Sequence, residues 1–324
     1  SVGSSSSKST FTEDSTQRNG SSITAGGTAT FVATGNGTPG SGNVTIAGSN
    51  VNASDVVLAA NNQVNLLNST DTDSTRSNNE SKGGSIGVSY GSSGYGIEAA
   101  GSKAHGDANS DSTAQTNTHI SGTNSVSIVS GGDTNIKGAT VDGGQVSALI
   151  GGDLNIASVQ DTSHSVAHQD SQSAGVSISQ AGGSASYSSQ HGDAHGDYAG
   201  VEEQSGIHAR AGGFDLNVKG NTDLKGGYIA SDADASKNAL TTGTLTFSDI
   251  TNASNYNAKS SGFSAGGSMG GSSSAKANGV TSLSDGGGVS PMLSQHDSGN
   301  ETATTKSAIG AGTITITDGA NQKQ

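Results

Sequence analysis

The chain repeats itself at two nested spacings, and a fixed internal period constrains architecture more tightly than any other sequence signal. Val44, Ile46, Val51, Val56, Leu58, Val64 and Leu66 are answered 90 residues later by Thr134, Ile136, Val141, Val146, Ala148, Leu154 and Ile156, with Gly48 matched by Gly138. Inside each block a period of 20 relates Val44 to Val64, Ile46 to Leu66, Thr134 to Leu154 and Ile136 to Ile156. Related pieces recur at Leu216–Val218, Leu245–Phe247 and Ile314–Ile316, each with two apolar positions separated by a polar one. A glycine precedes these pieces regularly, at Gly42, Gly132, Gly152, Gly213, Gly243 and Gly312.

An apolar-x-apolar pair bounded by Gly, Asn, Asp and Ser is a very short strand with alternating faces. A repeat of this size cannot bury its apolar side alone, but stacking coil on coil about 4.8 Å apart closes a thin continuous core. Asn43, Asn50, Asn52, Asn65, Asn135 and Asn155 stand where side-chain amides of successive coils would stack. Phe31 and Phe247 take the second apolar position of such strands and are expected in the core. The composition agrees: 29% hydrophobic and 13% charged residues, with 51 Gly and 2 Pro among 324, is poor in both classes for a globular domain. No segment has strong helical periodicity, and none approaches the ~20 apolar residues of a membrane helix. The expected fold is all-β: a right-handed parallel β-helix, or solenoid, with three inserted β-hairpin excursions.

The excursions are Ser-, Gly-, Asp- and His-rich, yet each holds a centre of alternation. The first runs through Ile86, Val88 and Tyr90 to Gly91–Gly94, then Tyr95 and Ile97. The second carries Val176 and Ile178, then Ala181–Gly183, then Ala185 and Tyr187. In the third, Phe263 and Ala265 precede Gly266–Met269, expected as its tip, with Met269 the last of the candidate residues. The Gly-apolar-Ser starts at Gly87, Gly175 and Gly262 are 88 and 87 residues apart, so each hairpin enters at one place in the large repeat. Two readings stand: a solvated projection, or a membrane-active hairpin with the one-sided apolar strands of an outer-membrane barrel. Tyr90, Tyr95 and Tyr187 flank the turns, as cross-strand contacts or as an interfacial aromatic pair.

The expected organisation is a disordered or incomplete N-terminal edge at 1–20, coils at 21–67, 122–157 and 206–253, and excursions at 68–121, 158–205 and 254–305. Residues 306–324 form a final coil, and both ends read as cuts through a longer chain.

The runs Gly131-Gly132-Asp133-Thr134-Asn135-Ile136 and Gly151-Gly152-Asp153-Leu154-Asn155-Ile156 resemble the repeats of the filamentous-haemagglutinin family, exoproteins of the two-partner secretion pathway. Glu203–Ile207, Gly220–Gly226 and Leu240–Leu245 resemble them too. Within that family the chain is most similar to the second haemagglutinin-repeat region of contact-dependent growth inhibition exoproteins of the CdiA type. The resemblance implies a β-helical filament on a Gram-negative cell that delivers a C-terminal toxin across a target cell's outer membrane. It implies as partners that outer membrane and a cognate outer-membrane secretion transporter, with the segment held in the periplasm before deployment. The alternative is an adhesin rod that attaches cells or spaces a binding tip.

The residues carry no other recognisable chemistry. A net charge of −13 with few aromatics argues against nucleic acid, and zero Cys removes disulfides and Cys-ligated zinc. His164 and His168, like His191 and His195, are four apart, and His105-Gly106-Asp107 is echoed by His191-Gly192-Asp193 and His195-Gly196-Asp197. Without a helix or a His-Glu-x-x-His frame, these read as polar residues of exposed excursions, and no metal ligand is assigned. Gly131-Gly132-Asp133 and Gly151-Gly152-Asp153 read as turns, glycine supplying φ > 0 and aspartate bonding its own backbone. Arg18, Arg76 and Arg210 lie at different stages of the repeat, which argues against a lyase-like site. No nucleophile elbow, P-loop or dinucleotide fingerprint occurs. No enzyme activity, cofactor or small-molecule substrate is expected.

Overall fold

A computed structural model of the chain describes residues 1–91, 94–180, 182–269 and 287–323. Two sheets organise them, one of parallel strands and one antiparallel. The parallel sheet is wound into a three-sided solenoid. On its first side Ser22–Thr24, the start of Asn50–Ala60, the start of Thr118–Ser130, the start of Ala139–Ile150, the start of Gly206–Lys225, Tyr228–Ser231 and Ala308–Ile309 follow one another. The second side runs from Thr28–Ala33 to Thr313–Ile316, and the third from Val44–Ala47 to the end of Ala239–Ser248.

The two sequence periods have separate structural meanings. Residues 20 apart lie on adjacent coils, as in Val44 on Val64 and Thr134 on Leu154. Residues 90 apart lie two coils apart, because Val64 stacks on Thr134 with a hairpin inserted between them in the chain. At the corner leaving the third side, Gly48, Gly138 and Gly226 turn the chain tightly with φ of 53°, 58° and 55°. At the alternate coils that corner is replaced by an excursion, so two coils and one hairpin form the large repeat.

Stacked apolar columns make the core. Val51, Ile120, Val141, Ile207 and Ile229 stand in register, all at most 1% exposed. A second column runs Phe31, Leu58, Ile128, Ala148, Leu216, Leu240 and Ile314, and a third Ile46, Leu66, Ile136, Ile156, Leu224 and Phe247. Columns fray where stacking stops: Phe31 is half-buried, while Phe247, expected in the core, is 51% exposed on the last coil of its side. Thr134 replaces a valine in its column and is fully buried, its hydroxyl satisfied by the Ser130 hydroxyl at 2.9 Å.

Polar ladders join the coils. Asn135 Nδ2 donates to Asn65 Oδ1 at 2.8 Å and Asn155 Nδ2 to Asn135 Oδ1 at 2.9 Å, in a row that continues through Asp223 to Thr246. Asn50 leaves this pattern and bonds His119 Nδ1. The Gly-Gly-Asp corners differ from expectation. None of Gly131, Gly132, Gly151 and Gly152 has positive φ; a Cβ on Gly151 would instead collide with the Gly131 carbonyl, so coil spacing is what excludes a side chain. The aspartates cap the next coil rather than their own turn: Asp133 Oδ1 accepts from Asp153 N at 2.9 Å, and Asp153 Oδ1 from Asn221 N at 2.7 Å.

The second sheet holds seven antiparallel strands in the order Val2–Thr16, Ser69–Gly91, Gly94–Thr116, Asp161–Ser179, Gly182–Gly200, Ile250–Met269 and Gly288–Thr305. Each excursion supplies two adjacent arms, and the return arm of one pairs with the outgoing arm of the next. Val2–Thr16, expected as a disordered or incomplete edge, is a 15-residue edge strand paired with Ser69–Gly91, because its Ser-rich backbone finds a strand with free ladder groups. Gly266–Met269, expected as a tip, is extended strand held against Gly183–Ser186; the connection beyond it lies outside the described residues. Arg76 grips Asp111 with two bonds of 2.7 and 2.9 Å, Arg210 pairs with Asp142, and Arg18 Nη1 donates to the Thr70 carbonyl. The three arginines are thus separately engaged.

Candidate functional site

The seven-stranded sheet has two chemically different faces, because strand residues alternate and the register aligns their parity across every arm. One face of its outer half is built mainly of Gly and Ser, with Glu98 and Ala100 among them: Gly87 and Ser89, Gly96, Gly175 and Ser177, Ser184 and Ser186, Ser264 and Gly266. The opposite face is apolar. Its rows read Tyr90–Tyr95 at the tip, then Val88–Ile97–Ile178–Gly183–Met269, then Val2–Ile86–Ala99–Val176–Ala185. A further row brings Tyr187, Ala265 and Val289 together, with Phe263 beside Tyr187 at a ring-centroid distance of 5.5 Å.

All twelve residues singled out from the sequence fall on this face: Ile86, Val88, Tyr90, Tyr95, Ile97, Val176, Ile178, Ala185, Tyr187, Phe263, Ala265 and Met269. They are brought into one patch across five strands, and it is open to solvent, with Val88 at 77%, Ile178 at 68% and Met269 at 80% exposure. Monomeric proteins rarely leave so large a contiguous apolar surface uncovered. Tyr90 and Tyr95 make a tilted cross-strand contact, ring centroids 4.7 Å apart. Sequence reasoning missed Val2 and Val289 in the same patch. Val2 stands in a Ser-rich run without alternation and Val289 in an arm with no visible partner, so pairing alone reveals them.

Lys82 and Lys103 pair directly opposite one another and border the patch on the side toward the solenoid. The apolar rows run six residues along the strand, from Tyr95 to the row of Gly101, so the apolar band is roughly 20 Å tall at about 3.4 Å per residue, with Lys103 just beyond it. That approaches the ≈ 25 Å apolar band of an outer-membrane barrel wall. Long amine side chains at such a border reach water while their stems cover apolar surface.

Below the lysines the same face becomes titratable. Glu80, His105, Asp170 and His191 form one row, and Asn78, Asp107, His168, Asp193 and Lys259 the next. His168 Nδ1 lies 2.7 Å from Asp193 Oδ1 and its Nε2 2.8 Å from Asp170 Oδ2. His191 Nδ1 lies 2.7 Å from Asp170 Oδ1 and its Nε2 2.8 Å from Asp193 Oδ2. Asp193, then Asp170, raises the pKa of His168, and Asp170 foremost raises that of His191; the histidines in turn hold both carboxyls below their ordinary range. Further along, Asp197 faces His164 at 2.5 Å and His195 at 3.3 Å. The four-residue His spacing misleads, because each ring of the pair His168 and His191 bonds one aspartate two residues along its own arm and one on the opposite arm, and no histidine four residues away. The useful signal was the recurring His-Gly-Asp echo.

The haemagglutinin-repeat family model matches residues 2–175, more than half of the chain. The chain belongs to the haemagglutinin-repeat family. Among curated haemagglutinin-repeat relatives, "tRNA nuclease CdiA-2" of Burkholderia pseudomallei (strain 1026b) is 61% identical over 324 residues, covering 100% of this chain and 10% of the relative. "16S rRNA endonuclease CdiA" of Enterobacter cloacae is 40% identical over 335 residues, 100% of this chain and 10% of the relative. "Deoxyribonuclease CdiA" of Yersinia pseudotuberculosis is 38% identical over 315 residues, 95% of this chain and 28% of the relative. The chain therefore spans about a tenth to a quarter of these repeat proteins. No solved structure matches it.

Proposed function

We propose that the chain is a structural, non-enzymatic segment of a surface-exposed CdiA-type exoprotein of a Gram-negative bacterium, and that it engages a target cell's outer membrane during delivery of a C-terminal toxin. The open apolar face of the hairpin sheet carries this reading, with a height approaching that of a membrane band and a lysine border. The relatives are named for three different nucleic-acid-cleaving activities, yet each contains a region similar to nearly all of this chain. A shared segment does not set the differing activity, and a common step such as passage into the target suits it.

The solenoid is the rigid part, wound right-handed in this reading, and it presents hairpins at regular intervals. Edge strands limit how the sheet meets lipid. Val2–Thr16 and Gly288–Thr305 end the strand order, and unpaired backbone groups are costly in hydrocarbon. The apolar face accordingly lies against the membrane with the Gly/Ser face in water, and full insertion requires both edges to pair with further strands. Export by a cognate outer-membrane transporter and retention in the periplasm before receptor engagement belong to the same proposal.

The test uses the parent exoprotein with residues 42–317 deleted and surface export verified. Target-cell attachment and toxin arrival are scored separately. Attachment retained with arrival abolished is the expected result. Loss of attachment instead favours an adhesin rod, and retention of both functions makes the segment dispensable length.

A further inference from the structure

We propose that the second hairpin holds a divalent transition-metal ion, zinc by its donor chemistry, ligated by His168 Nε2, His191 Nδ1 and the Asp170 carboxylate. These three side chains each offer a donor atom within 4.8 Å of the others. They come from both arms of the hairpin, so a bound ion would staple Asp161–Ser179 to Gly182–Gly200 just below the apolar band.

Proton counting favours a cation. The ring has four imidazole–carboxylate contacts, at 2.7, 2.8, 2.7 and 2.8 Å. A neutral imidazole has one N–H and one lone pair, while ionised carboxylates only accept. Two neutral histidines therefore satisfy two contacts and set a lone pair against oxygen in the other two. The ring closes either with two extra protons or with one divalent cation, and both choices bring the same charge to the two carboxylates. Asp193 distinguishes the roles. Its two oxygens face His168 Nδ1 and His191 Nε2, accepting both N–H groups and leaving both lone pairs toward Asp170. A carboxylate that fixes the tautomer and orientation of metal-bound histidines is the usual outer-shell partner of such ions. Imidazole and carboxylate without thiolate suit zinc among the common ions, water filling the fourth position.

The geometry needs little change. Donors on a tetrahedral ion at about 2.0–2.1 Å stand about 3.4 Å apart, so each imidazole draws back from its Asp170 oxygen by roughly half an ångström while donors now within 4.8 Å of one another close to that spacing. His168, Asp170 and His191 are at least 31% solvent-exposed as side chains and free to make that shift. In the neighbouring group of His164, His195 and Asp197, the carboxylate opposite His164, Asp111, is taken up by Ser74 and Arg76, and among the described residues no second carboxylate bonds the two rings, so that group is left out of the proposal.

The experiment titrates the untagged, metal-free 324-residue chain with Zn²⁺ by calorimetry in two buffers of different protonation enthalpy. One tight site per chain is expected, with protons released in growing number as the starting pH falls, because each protonated imidazole surrenders one proton to solvent as the ion binds. His168→Ala and His191→Ala should each weaken binding by more than about a hundredfold, beyond the roughly 10–100-fold of losing an outer-shell partner. Asp170→Asn, which keeps side-chain shape and guards against misfolding, should do the same, while His195→Ala should leave the tight site intact. Far-UV circular dichroism establishes that every variant retains its strands. Absence of tight zinc binding, binding without proton release at acid pH, or equal affinity in the His168, His191 and Asp170 variants would overturn the proposal.

Discussion

Val176→Lys tests the membrane reading at the middle of the apolar band. Val176 lies in the central strand of the seven, flanked in register by Ala99 and Ala185, and is 51% exposed. About half of its side chain is covered, so replacing it costs about 1.5 kcal/mol of folding stability at most, half the upper end of the 1.5–3 kcal/mol of a full aliphatic burial. A lysine at mid-height on a lipid-facing strand costs about 2–4 kcal/mol of membrane affinity. At 1.4 kcal/mol per tenfold, that is about 30- to 700-fold in partitioning. The matched control is Ser177→Lys, one residue along on the Gly/Ser face, where the side chain opposes Glu98 and Ser184. Partitioning is measured by flotation with vesicles of outer-membrane lipid, and folding by circular dichroism and thermal melting. The expected pattern is a large loss for Val176→Lys, none for Ser177→Lys, and similar melting of both. Binding of Val176→Lys within threefold of the parent, or an equal loss in both variants, would refute the argument.

Other expectations follow from the solenoid and the His–Asp ring. Ile136 sits fully buried between Leu66 and Ile156, so Ile136→Ala should cost about 2–5 kcal/mol in denaturant unfolding; Phe247→Ala, on the frayed last coil, should cost clearly less. Gly151→Ala should destabilise by about 1–3 kcal/mol, because its methyl meets the Gly131 carbonyl across hydrogen-bonded coils. Gly27→Ala, with nothing within 4 Å, should be near neutral in the same assay. With chelator present, protonated His168 and His191 stabilise the second hairpin. That contribution is complete below the ordinary histidine value of 6.5 and is lost as pH rises through the raised folded values. The lowered carboxyls Asp170 and Asp193 add stability above their ordinary 3.8, lost as pH falls through the depressed values. Amide exchange of the two arms, corrected for intrinsic rate, should show most protection between about pH 4 and 6.5, and flat protection from pH 5 to 9 would contradict it.

Much of the solenoid was legible because its core is one-dimensional. The apolar columns through Leu66, Ile136 and Ile156 are written as residues at fixed offsets, and each coil contacts only its neighbours. The exceptions have local causes. Phe247 satisfies the pattern but lies on the last coil of its side, and a pattern does not say where stacking ends. The Gly-Gly-Asp corners read as self-contained turns because sequence shows a turn's composition, whereas the carboxylates bond one coil away.

The sequence by itself determined the coil periods, the all-β class and the alternation of apolar residues within the excursions, all properties of residues close in the chain. Only the tertiary structure decided that three excursions and Val2–Thr16 share one antiparallel sheet, and that His168 and Asp170 face His191 and Asp193. Cross-strand register fixes those meetings. A shift of one residue would send every apolar side chain to the opposite face, and no composition or local spacing encodes which arm lies beside which.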